Sequence, residues 1–315
     1  MAIDILLIVG GLVLLYLGAE GLVKGSSAIA LKLGLSPLVV GLTVVAYGTS
    51  MPELIVSVKS ALAGQSGIAV GNVVGSNIFN IAVILGISSI ICPIKVNFQL
   101  VKVDVPIMIF MTLLVMFFFR DGALARWEAG VLFAGILTYT VGSLIYAKKT
   151  TTPEVLAEFQ ESLELPRKPL WLDIAFILGG LGLLVIGSRF LVDGSISIAR
   201  VFGVSEAIIG LTIVAAGTST PELAASIVAA LKKEPDIAIG NIVGSNIYNL
   251  LCILGAAGLI APINAGGVAW TDMFVMLGAS LMLIPILWSG FVIKRWEGGV
   301  LLAIYACYLA WLWPK

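Results

Sequence analysis

Charge, histidine and cysteine are scarce in this 315-residue chain, and each shortage excludes a class of protein. Charged residues make up only 11% of the chain, against about 25% in an ordinary soluble domain. With 60% hydrophobic residues and a mean hydropathy of +1.11, too little polar surface remains to cover a soluble globule, so a cytosolic enzyme is excluded. The absence of histidine removes the commonest proton relay and the commonest transition-metal ligand.

Neither a nucleic-acid partner nor cysteine chemistry is indicated. Eighteen Lys and Arg residues balance eighteen Asp and Glu residues, so there is no basic excess for nucleic acid. Cys92, Cys252 and Cys307 lie in apolar runs without C-x-x-C spacing, and we expect them to act as small apolar side chains. No cofactor is expected, and nothing in the sequence indicates an obligate protein partner.

Ten apolar runs, each about 20 residues long, alternate with polar breaks and predict membrane-spanning helices. The start of the chain lacks the positive region of a secretory signal, so the first run is expected to stay in the mature protein. The sequence therefore predicts an all-α integral membrane protein with ten transmembrane helices in the lipid bilayer. The runs are 3–22, 36–60, 67–92, 102–119, 127–147, 171–192, 205–231, 237–262, 270–289 and 297–313.

The basic residues between the runs predict the orientation. Twelve Lys and Arg residues fall on the side of the central linker, and six fall on the other side. Because basic loops stay in the cytoplasm, both termini are expected to be extracellular and the linker cytoplasmic. The absence of targeting segments fits a multi-pass protein of a prokaryotic plasma membrane.

The chain contains two copies of one unit. The segment GLTVVAYGTSMPEL at 41–54 matches GLTIVAAGTSTPEL at 210–223 at 11 of 14 positions, with equivalent residues 169 apart. GNVVGSNIFN and GNIVGSNIYN follow at 71–80 and 240–249 with the same spacing. Five spans per copy is an odd number, so the second copy must enter the membrane from the opposite face. We therefore predict two inverted five-helix repeats, 1–147 and 171–315, joined by a polar linker at 148–170, a symmetry that favours transport.

Glu53 and Glu222 differ from the other acidic residues because each lies inside an apolar run. Most of the others lie at the ends of runs, where we expect water to solvate them. A charge inside the membrane costs at least about 2.5 kcal/mol, so such residues are usually functional. At matching places in inverted halves, the two carboxylates are expected to meet near the midplane. The alternative is a pair of buried, protonated structural glutamates.

Oxygen-bearing side chains accompany both glutamates. Spacings of four residues put Thr49 and Ser57 on the helix face of Glu53, and a second polar stripe follows in the next span. Pro52 and Pro221 interrupt their helices and are expected to free the carbonyl oxygens of Gly48 and Gly217, four residues before each proline. This all-oxygen set suits Ca²⁺ or Na⁺; alternatively, the hydroxyls bond to their own helices and the amides join helices. The second stripe is Asn72, Ser76 and Asn80; the other copy repeats both stripes with Thr218, Glu222, Ser226, Asn241, Ser245 and Asn249.

The paired GTSMPE and GTSTPE segments, each followed by GN-x-x-GSN-x-x-N, resemble the two alpha-repeats of the sodium/calcium exchangers, in the cation/Ca²⁺ antiporter superfamily. The resemblance is to the prokaryotic type and, through the five-plus-five layout, extends to the whole chain. It implies exchange of three Na⁺ for one Ca²⁺, with the first and sixth helices sliding across a steadier core. The implied Ca²⁺ ligands are Glu53, Glu222, Thr49 and Thr218. The implied Na⁺ ligands are Ser50, Ser76, Ser219, Ser245 and the backbone oxygens of Ala46 and Ala215, with Asn80 and Asn249 lining the middle.

Two departures from the wider superfamily narrow this expectation. Some relatives, including the potassium-dependent ones, carry an acid where this chain has Asn249, so the asparagine argues against K⁺ dependence and removes a candidate for proton coupling. The proton/calcium branch typically has GN-x-x-E in place of GTS-x-PE. A Na⁺-driven Ca²⁺ antiporter is therefore the first hypothesis. A H⁺/Ca²⁺ antiporter and a passive cation channel stay open as alternatives, and an intramembrane metalloenzyme is disfavoured by the missing histidines.

Overall fold

The computed structural model describes residues 2–151, 169–202, 215–265 and 268–312, and these are almost entirely helical. By length and composition, seven of the helices can cross a membrane, and an eighth span results if the bent pair α2–α3 is counted as one. The linker at 148–170 and the predicted span at 205–231 lie partly outside the described residues. The helices are α1 (Ala2–Leu33), α2 (Pro37–Thr49), α3 (Met51–Leu62), α4 (Ser66–Ile91), α5 (Leu100–Asp121), α6 (Arg126–Thr150), α7 (Leu170–Val201), α8 (Ala215–Thr218), α9 (Thr220–Leu231), α10 (Pro235–Ile260), α11 (Trp270–Trp288) and α12 (Arg295–Leu312).

The outer surface of the bundle is apolar. Large hydrophobic side chains stand exposed along most of the long helices, whereas α10 is buried over 94% of its most apolar stretch. An exposed apolar surface of this extent is what a lipid environment requires. The protein is therefore a multi-pass membrane protein with α10 at its centre. Exposed examples are Ile3, Leu6, Phe117, Trp127, Leu178 and Trp296.

The helices α1 and α7 are longer than the apolar runs that predicted them. Each has 32 residues, which at 1.5 Å per residue gives about 48 Å, against about 30 Å of hydrocarbon core. The predicted ends at 22 and 192 are therefore too early. In α1 the helix continues through Ser26 and Ser27, which are buried in the bundle.

Glycines bring α1 and α7 into close antiparallel contact. A Cβ atom on Gly11 would lie 2.8 Å from the carbonyl oxygen of Gly187, and one on Gly18 would lie 2.7 Å from that of Gly180. Residue numbers rise along one helix as they fall along the other, so the two helices run in opposite directions. Gly180 is the sequence equivalent of Gly11. The equivalent helices of the two copies therefore pack against each other in antiparallel orientation.

Two short β-ribbons also join the copies. The strand β1 (Ile94–Lys95) pairs with β4 (Val292–Ile293), and β2 (Ala123–Leu124) pairs with β3 (Ile263–Asn264), both antiparallel. The 169-residue spacing relates β1 to β3 and β2 to β4. Each ribbon is therefore the counterpart of the other, and each takes one strand from each copy.

The spacing between the copies is not 169 everywhere. Tyr139 donates a hydrogen bond of 2.9 Å to Asp104, and Tyr308 donates one of 2.8 Å to Asp272. The two tyrosines are 169 residues apart, but the two aspartates are 168 apart. The first copy has one more residue between its strand and its aspartate, and a π-helical turn over Leu100–Asp104 takes up an extra residue.

Candidate functional site

Two helix breaks place Glu53 and Glu222 in the first turns of the helices that follow. The axes of α2 and α3 meet at 47°, and Pro52 stands in the first turn of α3, as Pro221 does in α9. Ser50 and Ser219 occupy the breaks with nearly identical backbone angles, φ −81° and ψ 7° against φ −89° and ψ 8°. Each glutamate follows three residues later, in a first turn where free backbone N–H groups favour a negative charge.

Each glutamate is held by the serine of the other copy. Ser50 Oγ donates to Glu222 Oε1 at 2.8 Å, and Ser219 Oγ donates to Glu53 Oε1 at 3.1 Å. Both glutamates are 1% exposed, and their charges are close enough to interact. Thr49 lies within hydrogen-bonding reach of Glu222. The structure therefore brings together the two carboxylates that the sequence placed in different halves.

Four buried oxygens at this centre have no hydrogen-bond partner among the described residues. They form two equivalent pairs, one carboxylate oxygen and one amide oxygen from each copy. A buried acceptor without a partner costs about 1–3 kcal/mol, more if it is charged. Bound cations would supply the missing partners, because carboxylate and amide oxygens are the ligands that Ca²⁺ and Na⁺ prefer. The four atoms are Glu53 Oε2, Glu222 Oε2, Asn80 Oδ1 and Asn249 Oδ1.

The unpaired oxygen, not burial, distinguishes the site glutamates. Asp104, Glu128, Glu234 and Glu297 are buried as well, which corrects the expectation that water solvates these residues. Asp104, Glu128 and Glu297 each have a hydrogen-bond partner for the side chain. Tyr139 donates to Asp104 at 2.9 Å, and backbone N–H groups one turn earlier donate to Glu128 and Glu297 at 2.9 and 2.7 Å. These three carboxylates therefore serve packing and helix capping.

The amides of Asn72 and Asn241 hold the glutamate helices in place. Asn72 Nδ2 donates to the backbone oxygen of Glu53 at 3.2 Å and to Ser57 Oγ at 2.9 Å. Asn241 makes the equivalent pair of bonds in the other copy, with the same distances. The predicted polar stripes of neighbouring spans thus face each other, and these two amides join helices.

The remaining predicted residues lie around the glutamates. Ser76 Oγ lies 3.3 Å from Ser219 Oγ, which can accept its proton while donating to Glu53, and Ser245 Oγ lies 3.5 Å from the carbonyl oxygen of Ala46. Both Ser76 and Ser245 are buried. Ala215 is the first residue of α8, the short helix that ends at Thr218 and leads into Ser219.

The carbonyl oxygens before the prolines are less free than expected. Ser188 Oγ donates to the carbonyl oxygen of Gly217 at 2.6 Å. The carbonyl oxygen of Ala46 accepts from the backbone N–H of Ser50 at 3.0 Å. The expectation of an unpaired oxygen at Gly217 is therefore wrong, because a hydroxyl on α7 replaces the backbone donor that the proline removes.

Asn77 and Asn246, which were not predicted, bond to the predicted site residues Asn80 and Asn249. Asn80 Nδ2 donates to Asn246 Oδ1, and Asn249 Nδ2 donates to Asn77 Oδ1, both at 3.0 Å. Both residues are 1% exposed. The signal was present, since each GSN-x-x-N motif contains them, but the four-residue stripe passes over them. In both copies the helix changes to a π-helical turn at the last asparagine of the motif, over Asn80–Leu85 and Asn249–Ile253, a feature common at functional sites.

A cavity of about 460 Å³ reaches the site along α4. Its lining includes Asn72 and Ser76 at the inner end, and Asp272 and Tyr308 towards the ends of their helices. Ser76 links this cavity to the glutamates, because its hydroxyl oxygen lies 3.3 Å from that of Ser219, which donates to Glu53. The cavity therefore gives the candidate site an approach on one side of the bundle, with a mostly apolar lining that carries a few polar side chains.

Comparisons with known proteins agree over nearly the whole chain. The family model described as sodium/calcium exchanger protein matches residues 3–145 and 172–313. The sodium/calcium exchanger MaX1 of Methanosarcina acetivorans is 34% identical over 98% of both chains. The inner membrane protein YrbG of Escherichia coli is 35% identical over 98% of this chain and 97% of its own. The solved structure of the sodium-calcium exchanger NCX_Mj, soaked without Na⁺ and Ca²⁺, superposes with a TM-score of 0.85 at 30% identity and covers 99% of both chains.

These matches confirm the resemblance that the repeated motifs indicated. They show that the protein is a transporter of the Ca²⁺ antiporter type and not an enzyme. Its transported ions are Na⁺ and Ca²⁺. The chain therefore belongs to the sodium/calcium exchanger family, in its prokaryotic form.

Proposed function

We propose that this protein exchanges three Na⁺ for one Ca²⁺ by alternating access at a midplane site built on Glu53 and Glu222. The observation that carries the proposal is a set of four buried oxygens, two from each copy, that have no hydrogen-bond partner among the described residues. Two of them belong to the carboxylates, which are held by serines of the opposite copy. Leaving four such acceptors without a partner is costly. A transported cation supplies the missing partner.

The ligands are proposed residue by residue. Glu53, Glu222, Thr49 and Thr218 hold Ca²⁺, which the geometry supports because each threonine lies within reach of the glutamate of the other copy. The flanking Na⁺ sites use serine hydroxyls and two backbone oxygens, supported by the contacts between Ser219 and Ser76 and between Ser245 and Ala46. These Na⁺ ligands are Ser50, Ser76, Ser219, Ser245, Ala46 and Ala215, with Asn80 and Asn249 between them.

Charge explains why loaded carriers cross and empty ones do not. Two carboxylates neutralise one Ca²⁺, whereas three Na⁺ leave one positive charge, so the exchange moves charge and responds to voltage. Without a cation, two carboxylates repel each other in a medium of low dielectric constant. Occlusion of the unloaded site is therefore unfavourable, which makes the exchange obligatory.

The proposed architecture is ten spans arranged as two inverted repeats, 1–147 and 171–315, with the linker at 148–170 between them. The antiparallel packing of α1 against α7 supports inversion, since these are equivalent helices that run in opposite directions. The two ribbons support it as well, because the repeat spacing turns one into the other. Such symmetry builds two access routes from one unit.

We place the protein in the plasma membrane with both termini outside and the linker in the cytoplasm, because two-thirds of the basic residues then face the cytoplasm. The bilayer is its environment, and no obligate protein partner is required by the proposed mechanism. The cavity beside α4 opens towards Asp272, at the end of α11 that this orientation puts outside.

Uptake of ⁴⁵Ca²⁺ into Na⁺-loaded proteoliposomes, with external Na⁺ varied, tests the function. We expect uptake that rises with the outward Na⁺ gradient and changes when a K⁺–valinomycin potential is imposed. Glu53→Gln and Glu222→Gln should each abolish this uptake, because the Ca²⁺ site then loses one of its two negative charges. Asp121→Asn is the matched control, since this carboxylate is exposed and remote from the site.

The same assay separates the alternatives. Uptake that ignores Na⁺ but follows a pH gradient would identify a H⁺/Ca²⁺ antiporter and overturn Na⁺ coupling. Flux without any counter-ion would identify a channel. Wild-type uptake in either glutamine variant would remove the proposed site.

A further inference from the structure

The amides of Asn77 and Asn246 form a closed network between the two copies. Asn77 Nδ2 lies 3.5 Å from the backbone oxygen of Asn246, and Asn246 Nδ2 lies 3.4 Å from that of Asn77. Their side-chain oxygens accept from Asn249 and Asn80, both at 3.0 Å. The network is buried, and every bond in it crosses from α4 to α10.

The backbone fixes the direction of every hydrogen bond in this network. A carbonyl oxygen can only accept, so the end of the Asn77 side chain that faces the Asn246 carbonyl must be the NH₂ group. The thioether of Met276, also an acceptor, lies 3.7 Å from the same nitrogen. Asn246 is fixed in the same way, by the carbonyl of Asn77 and by Met108 Sδ at 3.6 Å. A flipped amide would set acceptor against acceptor at both places.

The fixed direction passes to the next amide. Because Asn77 must present its oxygen to Asn249, Asn249 must donate with its NH₂ group, and its own oxygen has no hydrogen-bond partner in the part of the chain that the structure describes. The same sequence runs from Asn246 to Asn80. An amide oxygen binds a cation, whereas an amide NH₂ repels it. The direction of the network therefore decides whether the two inner asparagines can act as ligands.

We propose that Asn77 and Asn246 are positioning residues, which fix the amides of Asn249 and Asn80 so that their oxygens face the transported cation. The proposal rests on the cation site proposed above. It adds that the two copies depend on each other for the orientation of their ligands, which we call the crossed dependence. The inner ligand of each copy is oriented by an asparagine of the other copy. Asn77 therefore acts through Asn249, 172 residues away, and not through Asn80, three residues further along its own helix.

A double-mutant cycle on Ca²⁺ binding tests the crossed dependence. We would measure ⁴⁵Ca²⁺ affinity of the purified protein in detergent for Asn77→Leu, Asn249→Ala and the two combined. We expect each single change to weaken binding about tenfold, the loss typical of one charge-assisted contact, and the double variant to bind no worse than the weaker single variant. The matched control combines Asn77→Leu with Asn80→Ala, where the two losses should multiply.

Multiplying losses in the Asn77–Asn249 pair, or an unchanged affinity in Asn77→Leu, would overturn the proposal. If the leucine variant does not elute as a single folded species, Asn77→Ser and the mirrored cycle of Asn246→Ser with Asn80→Ala give the same information. Wild-type protein that binds no Ca²⁺ would instead overturn the proposed function. Wild-type binding with independent effects of Asn77 and Asn249 would overturn the positioning role alone.

Discussion

The hydroxyl of Ser50 donates a hydrogen bond of 2.8 Å to Glu222, a residue 172 positions later in the other copy of the repeat. Its counterpart, from Ser219 to Glu53, spans 3.1 Å. Each copy thus supplies a carboxylate and the donor for the carboxylate of the other. Neither half of the chain contains both parts of the proposed site, so we expect the two halves to depend on each other for function and not only for packing.

Removal of either serine hydroxyl should weaken transport. Ser50→Ala deprives Glu222 of a charge-assisted hydrogen bond and removes a proposed Na⁺ ligand. Such bonds contribute about 1.5–3 kcal/mol, so we expect the Na⁺ concentration for half-maximal exchange to rise about tenfold or more. Flux measured against internal Na⁺ in proteoliposomes gives this value. Ser280→Ala is the control, because Ser280 is buried but donates only to the backbone of its own helix; an equal effect there would contradict the prediction.

Alanine at the glycines between α1 and α7 should separate the helices. In Gly180→Ala the new methyl group would lie 2.7 Å from the backbone of α1, and crowding of this kind costs about 1–3 kcal/mol. We expect a lower Tm for Gly180→Ala and Gly11→Ala in detergent. Their neighbours Gly179 and Gly10 have open space around them. Alanine at those two positions should leave the Tm unchanged, and a loss as large as that of the first pair would refute the packing argument.

Two ion pairs should differ in their contribution to stability. Lys32 pairs with Asp173, whose side chain is 3% exposed, whereas Lys232 and Glu20 pair at 2.6 Å with about a third of each side chain exposed. An exposed pair contributes about 0–1 kcal/mol, but loss of a partner from a buried carboxylate costs more. Lys32→Met should therefore lower the Tm clearly more than Lys232→Met. The reverse order in a thermal scan would show that Asp173 does not depend on this lysine.

Glu234 should make stability depend on pH. It lies between α9 and α10, and burial, with the nearby charge of Asp236, raises its pKa to about 8. An acid with a raised pKa stabilises the fold fully below its unfolded pKa of about 4.3, and this contribution is lost as the pH rises through about 8. Glu234→Gln stays neutral, so its Tm should exceed that of the wild type by more at pH 9 than at pH 6. A difference that does not change with pH would contradict the raised pKa.

The sequence was sufficient to find the carboxylates but not their partners. Glu53 and Glu222 are conspicuous inside apolar runs, and membrane helices follow from hydropathy alone. The bond from Ser50 to Glu222 could not be read in the same way, because residue spacing relates only side chains on one helix. Asn77 was missed for a related reason. A stripe of four-residue steps through Asn72, Ser76 and Asn80 passes over Asn77, which lies one residue and so about 100° further round the helix than Ser76.

The lengths of α1 and α7 show a second limit of sequence patterns. An apolar run ends where charge begins, so Lys24 marked the end of the first span. The helix nevertheless continues to Leu33, because its last turns pack into the protein and Lys32 meets the buried Asp173. Contacts with another part of the chain, which a hydropathy pattern does not contain, set where these helices end.

The two β-ribbons join the two copies of the repeat by main-chain hydrogen bonds. Because each takes a strand from either copy, the core cannot open like a hinge at one face without breaking main-chain hydrogen bonds there. The strands leave α1 and α7 out, and these two helices hold each other through glycine contacts. We therefore expect any motion that keeps both ribbons paired to move α1 and α7 together past the core.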